Sequence, residues 1–363
     1  MKRRLLRATS VAAALAVSLS GCIFLPSLAG LSSGPPAPPL PTATDPVPPS
    51  SEPPSIEPTP VDPTETPSPT ETPSPTQDSG TLGEVRDGNP LQSGSGVATD
   101  TPYDLVIPPS SGNPEVGSVP LGNVSDAREF SESEGSFITQ TTGRLYMTWP
   151  GDRHGTCSGT VVNSDDGNIV LTAAHCLYSP IYREMAERVQ FVPAESGNGA
   201  HAPYGTWEGD RWIVPSIFAD TAYEEDGASY GEGWAYDYAW IRLQSSASGA
   251  NVQDFTGGQG ISFTQEFDGA QFVGYPTNEP FDGSSQRVCS STQMGFGDMH
   301  WPHLTMSCTI SPGISGSGWV TAIDPETGAG YVGAVFSTLV TDTVSGSMLG
   351  RNSYDLLQEL HEL

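Results

Sequence analysis

The chain has 363 residues and a formal net charge of −28, from 14 Lys and Arg against 42 Asp and Glu, with four of the positives at Lys2, Arg3, Arg4 and Arg7. A surface of this sign repels phosphate backbones and anionic lipid headgroups, which argues against nucleic-acid binding and against electrostatic adsorption to membranes. The 34 prolines and 41 glycines are spread unevenly, so a good part of the chain has no core and the folded part has to be located separately.

In chain order the first segment is an address. A basic start is followed by an apolar stretch from Ala8 to Leu19 and then by Leu19-Ser20-Gly21-Cys22. That layout reads as an export signal over residues 1–21, because the apolar stretch is too short to cross about 30 Å of hydrocarbon as a helix. The tetrapeptide resembles the bacterial lipobox. The resemblance implies cleavage before Cys22, a lipid on its thiol, and a protein held outside the cell on the outer face of the cytoplasmic membrane. Five cysteines are an odd number; with Cys22 lipidated, four remain as an even set for disulfides outside the cytoplasm.

From Gly34 to Thr76 the composition is Pro, Thr, Ser and Glu, and Thr-Glu-Thr-Pro-Ser-Pro at 64–69 repeats at 70–75. With so few apolar side chains to offset the entropy of ordering, this segment is predicted to be a disordered stalk of polyproline II character. Residues 77–117 stay Gly- and Ser-rich. The whole of 22–117 is therefore read as linker, with a possible pro-segment in its second half, and the folded domain is expected to span 118–363.

Within that domain the chain breaks into short runs rich in aromatic and β-branched residues, bounded by turn residues. They are 144–149, 159–162, 169–172, 189–192, 239–243, 271–275, 305–310 and 330–337. Without a long amphipathic helix between them, the runs predict an all-β sandwich or barrel. The one helical signature is at the end, where Ser353 can cap a run that places Leu356, Leu357, Leu360 and Leu363 on one face.

Two segments carry the chemistry that the composition leaves open. Cys157-Ser158-Gly159-Thr160 precedes Ile169-Val170-Leu171-Thr172-Ala173-Ala174-His175-Cys176, which puts a histidine just past a buried strand, where its ring can be held as a positioned base. Further on, Cys308-Thr309-Ile310-Ser311-Pro312-Gly313-Ile314-Ser315-Gly316-Ser317 sets a serine among glycines. Glycines there let backbone N–H groups converge on one point. Leu-Thr-Ala-Ala-His-Cys is similar to the histidine motif of the chymotrypsin-like serine proteases, and Gly-Ile-Ser-Gly-Ser resembles that family's nucleophile loop.

The resemblance implies two packed six-stranded antiparallel β-barrels with a short C-terminal helix. It implies a catalytic triad of His175, Asp237 and Ser315, an oxyanion hole from the amides of Gly313 and Ser315, and disulfides Cys157–Cys176 and Cys289–Cys308. Asp237 is preferred as the acid because Tyr236-Asp237-Tyr238-Ala239-Trp240-Ile241-Arg242-Leu243 reads as an acid opening a buried strand. Its rivals Asp220, Glu224, Glu225, Asp226 and Glu232 lie in a Gly-rich stretch that reads as a solvated loop. By the family's spacing the base of the primary pocket falls at Thr309 and a wall at Val335, Phe336 and Ser337, none of them the carboxylate that would select basic residues.

The substrate implied is a protein or peptide and the chain a monomer, with neither metal nor organic cofactor. His300 and His303 form a His-x-x-His read as loop surface, because no third ligand is near. His154, His201 and His361 have no partner motif. Position 314 departs from the family, with Ile where Asp is usual, which leaves a competing reading: an impaired homologue serving as a surface binding lipoprotein. The α/β-hydrolase alternative is set aside, since its elbow needs Gly two residues past the serine and its chain order is Ser, acid, His.

Overall fold

The computed structural model describes residues 83–85, 100–110, 122–129, 136–298 and 302–363. The proposed signal, Cys22 and the Pro-rich stalk lie outside the described residues. Among the described residues no helix is long and apolar enough to cross a membrane.

The chain is mostly β. Six antiparallel strands close into a barrel in the order Trp207–Pro215, Ala239–Leu243, Ile169–Thr172, Arg153–Val161, Thr142–Trp149 and Arg188–Pro193, which pairs back onto Trp207–Pro215. Closure removes both sheet edges, and it places Leu145, Val161, Val170, Phe191 and Ile241 on one face, all essentially inaccessible to solvent. Among the described residues a second sheet of ten strands, two of them from before residue 130, has pairings that do not close into a ring. The expected second barrel is thus a half-barrel sheet. Its own apolar cluster includes Phe272, Ile314, Trp319 and Phe336, with Phe272 stacked on Trp319.

All eight predicted runs coincide with strands, to within a few residues. The strand Trp207–Pro215 was not predicted, because Glu208, Gly209, Asp210 and Arg211 interrupt its apolar pattern and a register shift falls between Gly209 and Arg211. Both expected disulfides are present, Cys157–Cys176 and Cys289–Cys308, with Cα atoms 6.2 and 6.1 Å apart.

Residues 100–110 correct the linker boundary. They are part of the folded domain: Val106–Ile107 pairs with Gly260–Ser262, and the Tyr103 and Leu105 backbones exchange hydrogen bonds with Phe263. Tyr103 packs on Tyr354 at 5.0 Å between ring centroids. The terminal helix runs Arg351–Glu362 and buries Leu356, Leu357 and Leu360, while Leu363 stays exposed.

Its N-terminus also differs from expectation. The helix begins two residues before Ser353, whose hydroxyl bonds the Gly350 carbonyl and amide from within the first turn. The N–H groups of Asn352 and Ser353 are instead capped by the buried carboxylate of Asp100, at 2.8 and 3.0 Å. A capping side chain some 250 residues away in sequence leaves no local signal.

Candidate active site

His175 sits in the short helix Ala174–Leu177, directly after the strand Ile169–Thr172. Asp237 ends the 3₁₀ turn Glu232–Tyr236 and precedes the strand Ala239–Leu243. These two strands pair antiparallel with Ala239 opposite Thr172, so a residue just before the one must lie beside a residue just after the other. Strand register alone therefore brings the acid to the histidine.

The contact is made twice. Asp237 Oδ2 is 2.7 Å from His175 Nδ1, and Oδ1 accepts the His175 backbone N–H at 2.9 Å. Both side chains are buried, and the Cys157–Cys176 bridge anchors the helix on the other side. An ionised carboxylate only accepts, so Nδ1 carries the proton and Nε2 of the neutral ring presents its lone pair. Cys157 and Cys176 stand close enough to His175 to resemble a metal cluster, but their thiols are consumed in the disulfide.

Burial opposes the charged imidazole of His175, but the charge and hydrogen bond of Asp237 outweigh it and raise the pKa above 6.5. Burial likewise works against ionised Asp237. The charge and hydrogen bond of His175, the Ser337 hydroxyl and the His175 N–H overcome that penalty and hold the carboxyl below 3.8.

Ser337 donates to Asp237 Oδ2 at 2.6 Å. Sequence spacing placed it in a pocket wall; its hydroxyl is a further donor fixing the carboxylate. Thr309 is exposed, bridges to Asp126 and donates to Asp342 at 3.3 Å. Val335 and Phe336 are buried in the core, and the Phe336 carbonyl accepts the Gly316 N–H at 3.0 Å.

Ser315 lies in the tight loop before Gly318–Thr321 and is almost buried. Gly313 and Gly316 have φ of +100° and +83°, values that side chains rarely adopt. Space demands glycine as well, since a Cβ at 316 would collide with Thr172 Oγ1 and the Ser158 carbonyl, and one at 313 with the Tyr275 carbonyl. These contacts set the serine loop against the strand end that leads into His175.

Two residues near the site escaped sequence reading. Glu224 was assigned to a solvated loop, but it lies half-buried in the hairpin formed by Tyr223–Glu225 and Ala228–Tyr230. Desolvation pushes its pKa up to about 7, against the pull of His175. Trp234, whose indole lies 5.7 Å from the His175 ring, ties that hairpin to the site by donating to the Tyr223 carbonyl at 3.4 Å.

His303 is not loop surface either. It is buried in the strand Pro302–Ser307, with Nε2 2.9 Å from the Trp234 carbonyl and Nδ1 3.2 Å from the Ser345 hydroxyl. Burial lowers its pKa. A cleft of about 1010 Å³ lined by Arg144, Tyr146, Met147 and Phe281 reaches the loop through Thr277 and Asn278. Thr277 and Asn278 donate to the Pro312 carbonyl at 2.7 Å and to Ser311 Oγ at 3.1 Å.

Residues 135–297 match the trypsin family. The matched span holds His175 and Asp237 and stops short of Ser315. Among solved structures the fold is similar to that of the protease Anisep from Arthrobacter nicotinovorans, with a TM-score of 0.54 and 24% identity over 63% of this chain and 98% of that one. It is also similar to a thermostable serine protease, AL20, from an extremophilic microorganism, with a TM-score of 0.50 and 20% identity over 62% and 98%. No curated protein matches the sequence. These likenesses show the fold that the chain shares with those proteases.

Proposed function

We propose that this domain is a trypsin-like serine protease, a working endopeptidase in which Ser315 is the nucleophile, His175 the general base and Asp237 the residue that orients the base. The observation that carries the reading is the doubly hydrogen-bonded, fully buried pairing of Asp237 with His175, beside a glycine-bracketed serine. A protein kept only for binding has no need of a buried carboxylate that fixes the tautomer of one histidine, and the burial of both groups is a standing cost.

The chemistry is acyl transfer in two halves. Ser315 Oγ attacks the peptide carbonyl while its proton passes to His175 Nε2, and the imidazolium so formed is stabilised by Asp237. The carbonyl oxygen, now an oxyanion, is held by the N–H groups of Gly313 and Ser315. Collapse of the tetrahedral intermediate breaks the C–N bond, and the His175 proton leaves with the amine. Water, deprotonated by the same ring, then hydrolyses the Ser315 ester and restores the enzyme.

The N-terminal sequence supports placing this activity outside the cell, on a lipid carried by Cys22 and at the end of a Pro-rich stalk. The substrate would then be a protein or peptide met at the cell surface. Two experiments test the reading. A fluorophosphonate probe applied to the full-length protein should label wild type and not Ser315→Ala, and a folded wild type that takes no label would sink the proposed mechanism. Metabolic labelling with a fatty-acid analogue should mark wild type and not Cys22→Ala.

A further inference from the structure

Ser158 is fully buried in the strand Arg153–Val161, between the disulfide cysteine and Gly159. Each of its polar groups reaches toward the site. Its N–H donates to the Ser315 carbonyl at 2.7 Å, and its own carbonyl accepts the hydroxyl of Thr172, at the end of the strand that leads to His175, at 2.9 Å. Its hydroxyl donates to the Gly313 carbonyl at 3.0 Å and accepts the Tyr275 N–H at 3.0 Å. One residue of the closed barrel thus touches both ends of the Gly313-Ile314-Ser315 turn and the approach to the base.

The turn has little else to fix it. Ile314 is buried among apolar side chains and its side chain can make no hydrogen bond, so the orientation of the peptides depends on what holds their carbonyls. From 312 to 315 every carbonyl has a donor. Pro312 has the Thr277 N–H and hydroxyl at 2.7 and 3.2 Å, Gly313 has Ser158, Ile314 has the Ser317 hydroxyl at 2.7 Å, and Ser315 has the Ser158 N–H. In a trans peptide the carbonyl and the following N–H point in opposite directions. Anchoring the Pro312 carbonyl on Thr277 therefore turns the Gly313 N–H away from Thr277, and anchoring the Gly313 carbonyl on Ser158 stops the next peptide from rotating.

We infer that the Ser158 hydroxyl is a positioning residue for peptide hydrolysis, holding the Gly313 carbonyl so that the amides of Gly313 and Ser315 stay converged on the substrate oxygen. The inference rests on Ser315 being the nucleophile. It assigns a task to a residue of the Cys-Ser-Gly-Thr motif beyond its neighbour's disulfide. A misplacement of about 1 Å at such a site can cost on the order of 10²-fold in rate, and the oxyanion forms only in the transition state, so the cost belongs in kcat.

The test compares full-length wild type, Ser158→Ala and Thr256→Ala on a chromogenic peptide amide. Thr256 is a buried hydroxyl in the helix Val252–Thr256 and controls for a loss of stability alone. Ser158→Ala should lower kcat by about 10- to 100-fold with KM within about twofold. It should weaken a peptide boronate, whose tetrahedral adduct occupies the hole, by a similar factor; Thr256→Ala should move neither. If the Ser158 variant does not fold, Thr277→Val, which removes one of the three donors to the Pro312 carbonyl, carries the same test with a smaller expected fall in kcat. An active wild type with kcat unchanged in the folded variant, or with the loss confined to KM, overturns this inference alone. A wild type that cleaves nothing and takes no probe overturns the nucleophile assignment, and the inference with it.

Discussion

The region that carries His175 and Asp237 and the region that carries Ser315 are built by different means. In the first, a barrel closed by hydrogen bonds on every strand delivers the pair through register, Ala239 opposite Thr172, and a disulfide secures the turn. In the second, the sheet is open, and the serine loop is positioned by individual side-chain and backbone hydrogen bonds from Ser158, Thr277 and Ser317. Backbone pairing tolerates most single substitutions. A loop held by a few hydroxyls does not, so mutations should separate the two regions by how their damage divides between stability and rate.

The largest effect should come from Ser315→Ala, with kcat falling by about 10⁶-fold, as for nucleophiles of serine-protease triads in general; turnover measured with active-site titration checks it. Asp237→Asn should follow at about 10⁴-fold, the scale on which a triad loses rate when the tautomer of its histidine is no longer dictated. Ser337→Ala should cost less, about 10-fold in kcat/KM, because Asp237 keeps both bonds to His175 and loses one donor.

The pH dependence sharpens the same comparison. As the proposed base His175 must be neutral, and its pKa is raised, so kcat/KM should fall with decreasing pH from a midpoint above 6.5. The stability supplied by the pair has the opposite slope. The histidine contribution is fully present below its unfolded pKa and is lost as pH rises through the raised folded value. The aspartate contribution is present above about 3.8 and lost as pH falls through the lowered folded value. The melting-temperature loss in Asp237→Asn should therefore be greater near pH 5.5 than near pH 8.5. An equal loss at both would show that charge pairing contributes nothing to the closed-barrel region.

The smallest effect lies farthest from the chemistry. Asp100→Ala removes the cap of the terminal helix and should cost about 1 to 2 kcal/mol in denaturant unfolding, with kcat unchanged. A loss of activity at constant stability would join the 100–110 segment to the site.

The sequence by itself settled what local patterning can encode. The strand runs, the C-terminal apolar face and the pairing of His175 with Asp237 were legible, because alternation and the words around a histidine are properties of neighbouring residues. Tertiary structure alone decided what depends on partners far along the chain. It set the Ser337 hydroxyl on the Asp237 carboxylate, 100 residues away in sequence, turned His303 from loop surface into a buried strand residue, and half-buried Glu224. It also drew residues 100–110 out of the linker to cap and cover a helix 250 residues later. A hydroxyl or carboxylate carries the same sequence signal whether it meets water or a buried partner, and only packing settles which.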